Sequence, residues 1–420
     1  MLTYGVKRFL AKISNIFLIG FLLLIPTQLG KHFWPDWSFV MGVRSDYLSP
    51  VLYLSDLLWL GIVMFNFKIL ISNVKKLFNL KTLLIIGFVI INIVVASSPM
   101  VAIYKWLRIG QLLISIVWIK NNKELVKNYL IKIIPVWLVG ESLLVVAQIA
   151  NNGSLNGIFY WLGERNFTFN TVGIAQMSVF GRGLIRGYGT FSHPNSLAGF
   201  LLVSLVLWKG LKPGVNKVLD WMVLWVSIVG IILSGSRTIW ILGLGVGIYY
   251  LIKSFLATQH LPLTKRRNSY FDLVLILGLF LGLFGTILTL INRDYWLSDF
   301  LGGWDKESWS KRLDLMKISL GIIKKSPIVG IGAGNFIVEL GKIGKTTWLQ
   351  PVHNIFLLVA NELGLMGILG IILVFKKWLV NLNKVTILLL ILIGLSGMVD
   401  HYWLTLMQNN WLLVLVFGLI

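Results

Sequence analysis

Cysteine is absent from this sequence, acids are scarce and histidine is thinly spread. Each shortage excludes a class of chemistry. Without a thiol there is no disulfide, no thiolate nucleophile and no cysteine-bound metal. The five histidines, His32, His193, His260, His353 and His401, form no HxxxH or HExxH spacing, so neither a built-in metal site nor a cofactor is expected. Asp and Glu number 16 against 38 Lys and Arg, giving a formal charge of +22. What dominates instead is apolar. Of the 420 residues 57% are hydrophobic, and the mean hydropathy of +0.82 is far outside the soluble range.

Apolar runs of bilayer length recur along the chain and predict an all-α polytopic membrane protein, one integral membrane domain over residues 1–420 with about twelve transmembrane helices. The first six segments are Ile13–Leu29, Val51–Ser72, Leu83–Ala96, Val101–Ile119, Ile133–Ala150 and Pro194–Leu211. The next six are Val218–Leu233, Thr238–Lys253, Phe271–Ile291, Asn354–Phe375, Val385–Met398 and Tyr402–Ile420. The N-terminus has the basic start of a signal peptide. No small-x-small cleavage site stands near "IPTQLG", so the first segment is read as a retained helix.

Lysine and arginine orient the bundle. Alternate connections carry Lys7, Arg8 and Lys12; Lys68, Lys75, Lys76 and Lys81; Lys120, Lys123 and Lys127; Lys209, Lys212 and Lys217; Lys253, Lys265, Arg266 and Arg267; and Lys376, Lys377 and Lys384. This is the positive-inside pattern, and it places both termini in the cytoplasm. The net charge therefore reflects loops facing anionic lipid, and nucleic acid is not an expected partner. Two long loops, 151–193 and 292–353, then lie outside. In the second, Leu313, Met316, Leu320 and Ile323 recur at helical spacing and predict a helix lying on the outer interface.

The outer side gathers the distinctive polar residues. "RGYGTFSHPNS" puts Arg186, His193 and Asn195 at the start of the sixth helix, with Ser192 as N-cap and Pro194 at its first turn. "SGSR" puts Arg237 at the start of the eighth, and "QPVHN" puts His353 and Asn354 at the start of the tenth. Free N–H groups, helix dipoles and arginine forks at one surface suit a lipid-linked phosphate or diphosphate.

In order, Arg186-Gly-Tyr-Gly-Thr-Phe-Ser-His-Pro-Asn195, then "SGSR", "PIVGIGAGNF" and "VHNIFLLVANELGLMG" resemble the bacterial O-antigen ligase and O-antigen polymerase superfamily. The resemblance covers Arg186 to the C-terminus by motif. It implies a fold like the C-type membrane glycosyltransferases, and transfer of a glycan from undecaprenyl diphosphate to a lipid or saccharide acceptor at the outer face of the bacterial cytoplasmic membrane. It implies that Arg186 and Arg237 hold the diphosphate and that His353 is essential. It also makes Arg312 the outer-loop arginine, and Gly330, Gly332 and Gly334 a glycine turn. Gly332, Gly334, His193, Asn195 and Asn354 are the remaining substrate-binding candidates.

The residue types fit that chemistry. A leaving diphosphate needs charge stabilisation and not protonation; the outer face has no DxD pair to hold a divalent ion, and arginines supply the same charge. His353, with a pKa near neutrality, would take the acceptor proton as general base. Direct attack would invert the anomeric carbon. Blander roles stand beside these. Arg186 and Arg237 also suit snorkelling anchors, and His353 a helix cap. Asn195, Asn354 and Glu362 suit interhelical hydrogen bonds. Lys105 and Arg108 either snorkel or reach towards the diphosphate, and Asp56 and Glu141 carry the same ambiguity. A polymerase of the same superfamily and a lipid-linked sugar transporter remain as alternatives. A transporter would place its ionisable groups near the midplane in paired repeats, and no clear repeat is present.

Overall fold

The computed structural model describes residues 4–77, 80–179, 182–211, 217–258, 306–344, 348–379 and 382–419. Its helices, numbered over those residues, begin with α1 (Tyr4–Leu23), α2 (Leu54–Leu77), α3 (Leu80–Val94), α4 (Pro99–Asn121), α5 (Lys123–Asn151) and the short α6 (Ile158–Trp161). They continue with α7 (Pro194–Leu211), α8 (Lys217–Leu233), α9 (Arg237–Thr258), α10 (Lys306–Lys325) and α11 (Phe336–Ile343). The last are α12 (Ile355–Leu379), α13 (Lys384–Gly397), α14 (Tyr402–Thr405) and α15 (Met407–Leu419). Every predicted segment but the ninth coincides with one or two of these. The ninth, Phe271–Ile291, lies outside the described residues, as do His260 and the basic cluster Lys265–Arg267.

Pro99–Asn121, Lys123–Asn151, Pro194–Leu211 and Ile355–Lys376 are long and apolar enough to cross a bilayer. Shorter apolar helices surround them. Leu57, Leu60, Met64, Leu83, Leu84 and Leu107 are exposed on α2, α3 and α4, a face that hydrocarbon covers without cost and water does not. The chain is a helical membrane protein.

The middle of the bundle is α7, which packs against α5, α8, α9, α13 and α15. It is apolar all round, as a helix buried on every side must be. Gly199 sits under the Tyr402 ring, where any Cβ would overlap the phenol oxygen. Trp208 donates its indole N–H to Ile131 O at 3.0 Å, tying the far end of α7 to α5. A second, smaller core joins Val40 and Leu48 of the loop before α2 to Val101, Leu315, Ile322, Ile331, Phe336 and Leu358. That loop is built from β1 (Gly30–His32), β2 (Phe39–Val40), β3 (Val43–Arg44) and β4 (Val51–Tyr53), paired antiparallel as β1–β4 and β2–β3. The loop before α7 carries β5 (Gln176–Val179) and β6 (Arg182–Ile185), a second hairpin.

Two predicted segments read as continuous are broken. The tenth bends at Gly364 (φ 60°, ψ −166°), inside α12. The glycine segment meets four of the backbone groups around the break. Ile331 N–H donates to Asn361 O at 2.9 Å and Gly332 N–H to Glu362 O at 3.1 Å, while Leu365 and Met366 N–H donate to Pro327 O and Ile328 O. A helix interruption inside a membrane protein survives only with such replacement partners. Asn92 of α3 completes the joint, donating to Val329 O and Glu362 O and accepting from Ala333 N–H and the Trp106 indole. The twelfth segment divides at Leu406 into α14 and α15.

Candidate active site

The site is built on the stretch Arg186–Asn195, and buried polar side chains of α5 hold that stretch open. Gln148 accepts from Tyr188 N–H and Gly189 N–H and donates to Gly189 O at 2.8 Å. Glu141 accepts from Thr190 N–H at 2.9 Å, with the Thr190 hydroxyl 2.7 Å from its other oxygen. Gly189 has φ +56°, and a Cβ there would overlap the Glu141 carboxylate. The ambiguity over Glu141 is thereby resolved: it shapes this turn.

Arg186 leaves the turn half-buried, donating from Nε to Ser234 O at 2.7 Å and from Nη2 to Asn195 Oδ1 at 2.7 Å. It passes so close to Gly235 (φ +66°) that a Cβ there would lie 2.8 Å from Nε. "SGSR" therefore has two parts: a seat for Arg186, then exposed Arg237 as the first residue of α9. Asn195 uses its amide in both directions, also donating from Nδ2 to Asp400 Oδ2 at 3.1 Å. His193, and not Ser192, caps α7, its Nδ1 accepting from Asn195 N–H at 3.1 Å. Proline at position 194 fixes the first turn so that the imidazole, one residue later than expected, reaches the free N–H.

Asp400 is the acid that sequence reading missed. It lies between α13 and α14, buried, with Oδ1 accepting from His401 N–H at 2.7 Å. His401, also missed, is buried; its Nδ1 lies 2.8 Å from the Thr405 hydroxyl, and its ring meets His353 edge-on with centroids 5.1 Å apart. His353 Nδ1 is buried and has no hydrogen-bond partner among the described residues. Asn354 caps α12, accepting from Phe356 and Leu357 N–H, and donates to Met398 O at 3.1 Å, so it joins two helix ends. Arg312 projects from α10 into the field of Arg186, His193, His353 and His401.

Burial sets the protonation states. It pulls His193, His353 and His401 each down to about 4, against the nearby Asp400 carboxylate. All three imidazoles are neutral at pH 7, through burial and not through the helix dipole. Asp400 is held below the ordinary carboxylate range: burial opposes ionisation, and in acid, where they carry charge, His401, His353 and His193 outweigh it together with the Asn195 amide. Burial also lowers Arg186 to about 10; Arg237 and Arg312 add to this, and Tyr188 and Asp400 oppose it. Two further arginines close enough to depress Arg186 make this a place of concentrated positive charge, suited to an anion.

Other expected residues sit apart from this cluster. Gly332 (φ +95°) packs on Ala96 and Gly334 (φ +75°) on Val101 and Lys105, at the α3–α4 corner. Arg108 pairs with Asp56 at 2.7 Å and also donates to Gln111 and Val51 O. Lys105 donates to Leu404 O at 3.0 Å, beneath the histidines. The α10 helix forms as expected, but its inward face is Leu315, Ser319 and Ile322. The stripe of Leu313, Met316 and Leu320 is turned outward.

Residues 222–372 match the O-antigen ligase family. A general O-oligosaccharyltransferase of Acinetobacter baylyi (strain ATCC 33305 / BD413 / ADP1) is 28% identical over 208 residues, 46% of this chain and 36% of that protein. The chain thus aligns with little more than a third of that relative's length. No solved structure matches it. The resemblance carried by the motifs, to the O-antigen ligase superfamily, holds.

Proposed function

We propose that this chain is an O-antigen ligase-like glycosyltransferase that moves a glycan from undecaprenyl diphosphate to an acceptor hydroxyl at the outer face of the bacterial cytoplasmic membrane. The observation that carries the reading is one connected group: Arg186 joined through Asn195 to Asp400, with His353 and His401 against it. Arg186, Arg237 and Arg312 take the diphosphate. His353 takes the acceptor proton, and Asn195 and Asn354 position the groups around them. The acceptor oxygen bonds to C1 of the first sugar as the C1–O bond to the diphosphate breaks. The electron pair leaves on the diphosphate, whose charge the arginines meet. The hydroxyl proton goes to the His353 imidazole. A base near pKa 4 is weak, yet it suffices when the proton moves late, because bonding to an electron-poor C1 makes the hydroxyl strongly acidic. Single displacement inverts the anomeric carbon, and no divalent ion is required.

This reading includes about twelve spans in one domain, both termini inside and both long loops outside. Connectivity supports it. Lys120, Lys123, Lys209, Lys376 and Lys384 stand at the ends of α4, α5, α7, α12 and α13 opposite to the ends that carry the site. The relative's name specifies transfer to an oxygen, which a protein, lipid or saccharide hydroxyl satisfies alike. A ligase and a polymerase therefore share this mechanism and differ in acceptor.

The test uses purified protein in lipid nanodiscs with an undecaprenyl-diphosphate oligosaccharide and, in turn, each acceptor class. Wild type forms one glycosylated product and releases undecaprenyl diphosphate, with EDTA present or absent. His353→Ala retains donor and fails to transfer it. Loss of turnover in EDTA with recovery in magnesium would overturn the arginine-and-histidine mechanism. Donor movement between leaflets without transfer would replace it with transport.

A further inference from the structure

The loop before α2 carries an exposed aromatic ring at the edge of the histidine cluster. Tyr47 is 38% exposed, and its ring meets His401 edge-on with centroids 5.5 Å apart. It lies in the electrostatic field of Asp400, Asp46 and Arg165. Asp46 and Arg165 are themselves exposed; the charge of Arg165, a residue of loop 151–193, reaches Tyr47, and within its own loop Arg165 donates to Ser192 O at 3.1 Å. Among the described residues no ring stacks face to face on Tyr47. Trp34, another ring of this loop, is already covered by His32 (5.4 Å, 12°) and Arg44 (5.2 Å).

Tyr47 is also fixed in place. The turn that holds it is closed by Leu48 N–H to Ser45 O at 3.1 Å and Ser49 N–H to Ser45 O at 3.2 Å. Leu48, its neighbour, is buried in the smaller core. The loop's return strand is anchored to α4, with Val51 N–H donating to the Tyr104 hydroxyl and Arg108 donating to Val51 O. Arg108 is in turn held by Asp56. A bare membrane-surface aromatic needs none of this bracing and no contact with a buried histidine.

We propose that Tyr47 is a sugar platform: its ring takes the C–H face of a pyranose, with Asp46 and Arg165 hydrogen-bonding that ring's hydroxyls, next to the reacting centre. The proposal rests on the glycosyltransferase reading for the identity of the centre. An immobilised, electron-rich ring face suits the polarised C–H groups of a pyranose, and mixed charges at its rim suit vicinal hydroxyls better than they suit a phosphate. The pyranose belongs either to the donor glycan or to a saccharide acceptor. The ring contact is the same in both.

In nanodiscs, Tyr47→Ala raises KM about tenfold with less than about threefold change in kcat, and Tyr47→Phe recovers the KM. A rise in the donor KM assigns the pyranose to the donor, and a rise in the acceptor KM assigns it to the acceptor. A second readout needs no turnover. Saturation-transfer NMR with the free oligosaccharide released from the donor gives ring C–H signals with wild type and with Tyr47→Phe, and not with Tyr47→Ala. If Tyr47→Ala keeps both KM values and the transfer signals while Arg186→Lys abolishes product, the platform is wrong and the transferase reading stands. If wild type forms no product, that reading fails, and the saturation-transfer comparison alone decides the platform.

Discussion

At the residue scale, Arg186 is distinguished by using two nitrogens of one planar guanidinium, Nε on Ser234 O and Nη2 on Asn195. Lysine keeps the charge but cannot reproduce that fork, so Arg186→Lys is expected to lower kcat roughly a hundredfold while inserting normally. Single-turnover transfer with bound donor measures it. His353 has a separate signature. Its pKa near 4 means that transfer stays level from about pH 8 to about 5 and falls as the pH approaches 4, with no inflection near 6.5. Stability moves in the same direction. The unfolded chain protonates its histidines near 6.5 and the folded chain near 4, so the unfolded state binds more protons between those values. Folding stability therefore declines as the pH falls from about 6.5 to about 4, which a thermal-melt series at stepped pH reads directly.

At the element scale, some features were legible and others were not. Proline at position 194 with polar residues before it and an apolar run after it located α7 at Pro194–Leu211, because that pattern has a direct physical meaning at a helix start. His193, Asn195 and His353 were legible for the same reason, each beside a helix N-terminus, and Arg186 through the polar run that leads up to Pro194. Asp400 and His401 were not. They occupy a tight turn between two apolar segments, and only the packing of α13 and α15 on α7 brings that turn to Asn195. The break in α12 was equally hidden, since Gly364 in "ELGLMG" looks like any tolerated helix glycine until segment 327–332 is seen docked on it. Gly235 offers the sharpest element-scale prediction. Gly235→Ala strains a φ of +66° by roughly 1–3 kcal/mol and drives a methyl against Arg186 Nε. The variant should still fold, yet lose most transfer, and its donor retention on a lipid overlay should fall in parallel.

At the scale of the whole molecule, the charge pattern makes a labelling prediction. Single cysteines introduced at Val172 or Arg165 should react with membrane-impermeant maleimide in intact spheroplasts, and one at Lys123 should not. The reverse pattern would place the chemistry on the wrong side for a lipid-linked glycan. The docked joint at Gly364 has a mechanical consequence for the same bilayer. Above it, the first turns of α12, with Asn354 as cap and His353 just before them, are fastened to α3, α10 and the glycine segment. Below it, Leu369, Ile372 and Leu373 face outward and are free to follow the lipid. A continuous helix transmits tilt along its length, whereas a helix cut and pinned at the cut does not. On the proposed topology the joint is a strain relief: the half of α12 beyond Gly364 is expected to absorb changes in membrane thickness while the histidines keep their spacing.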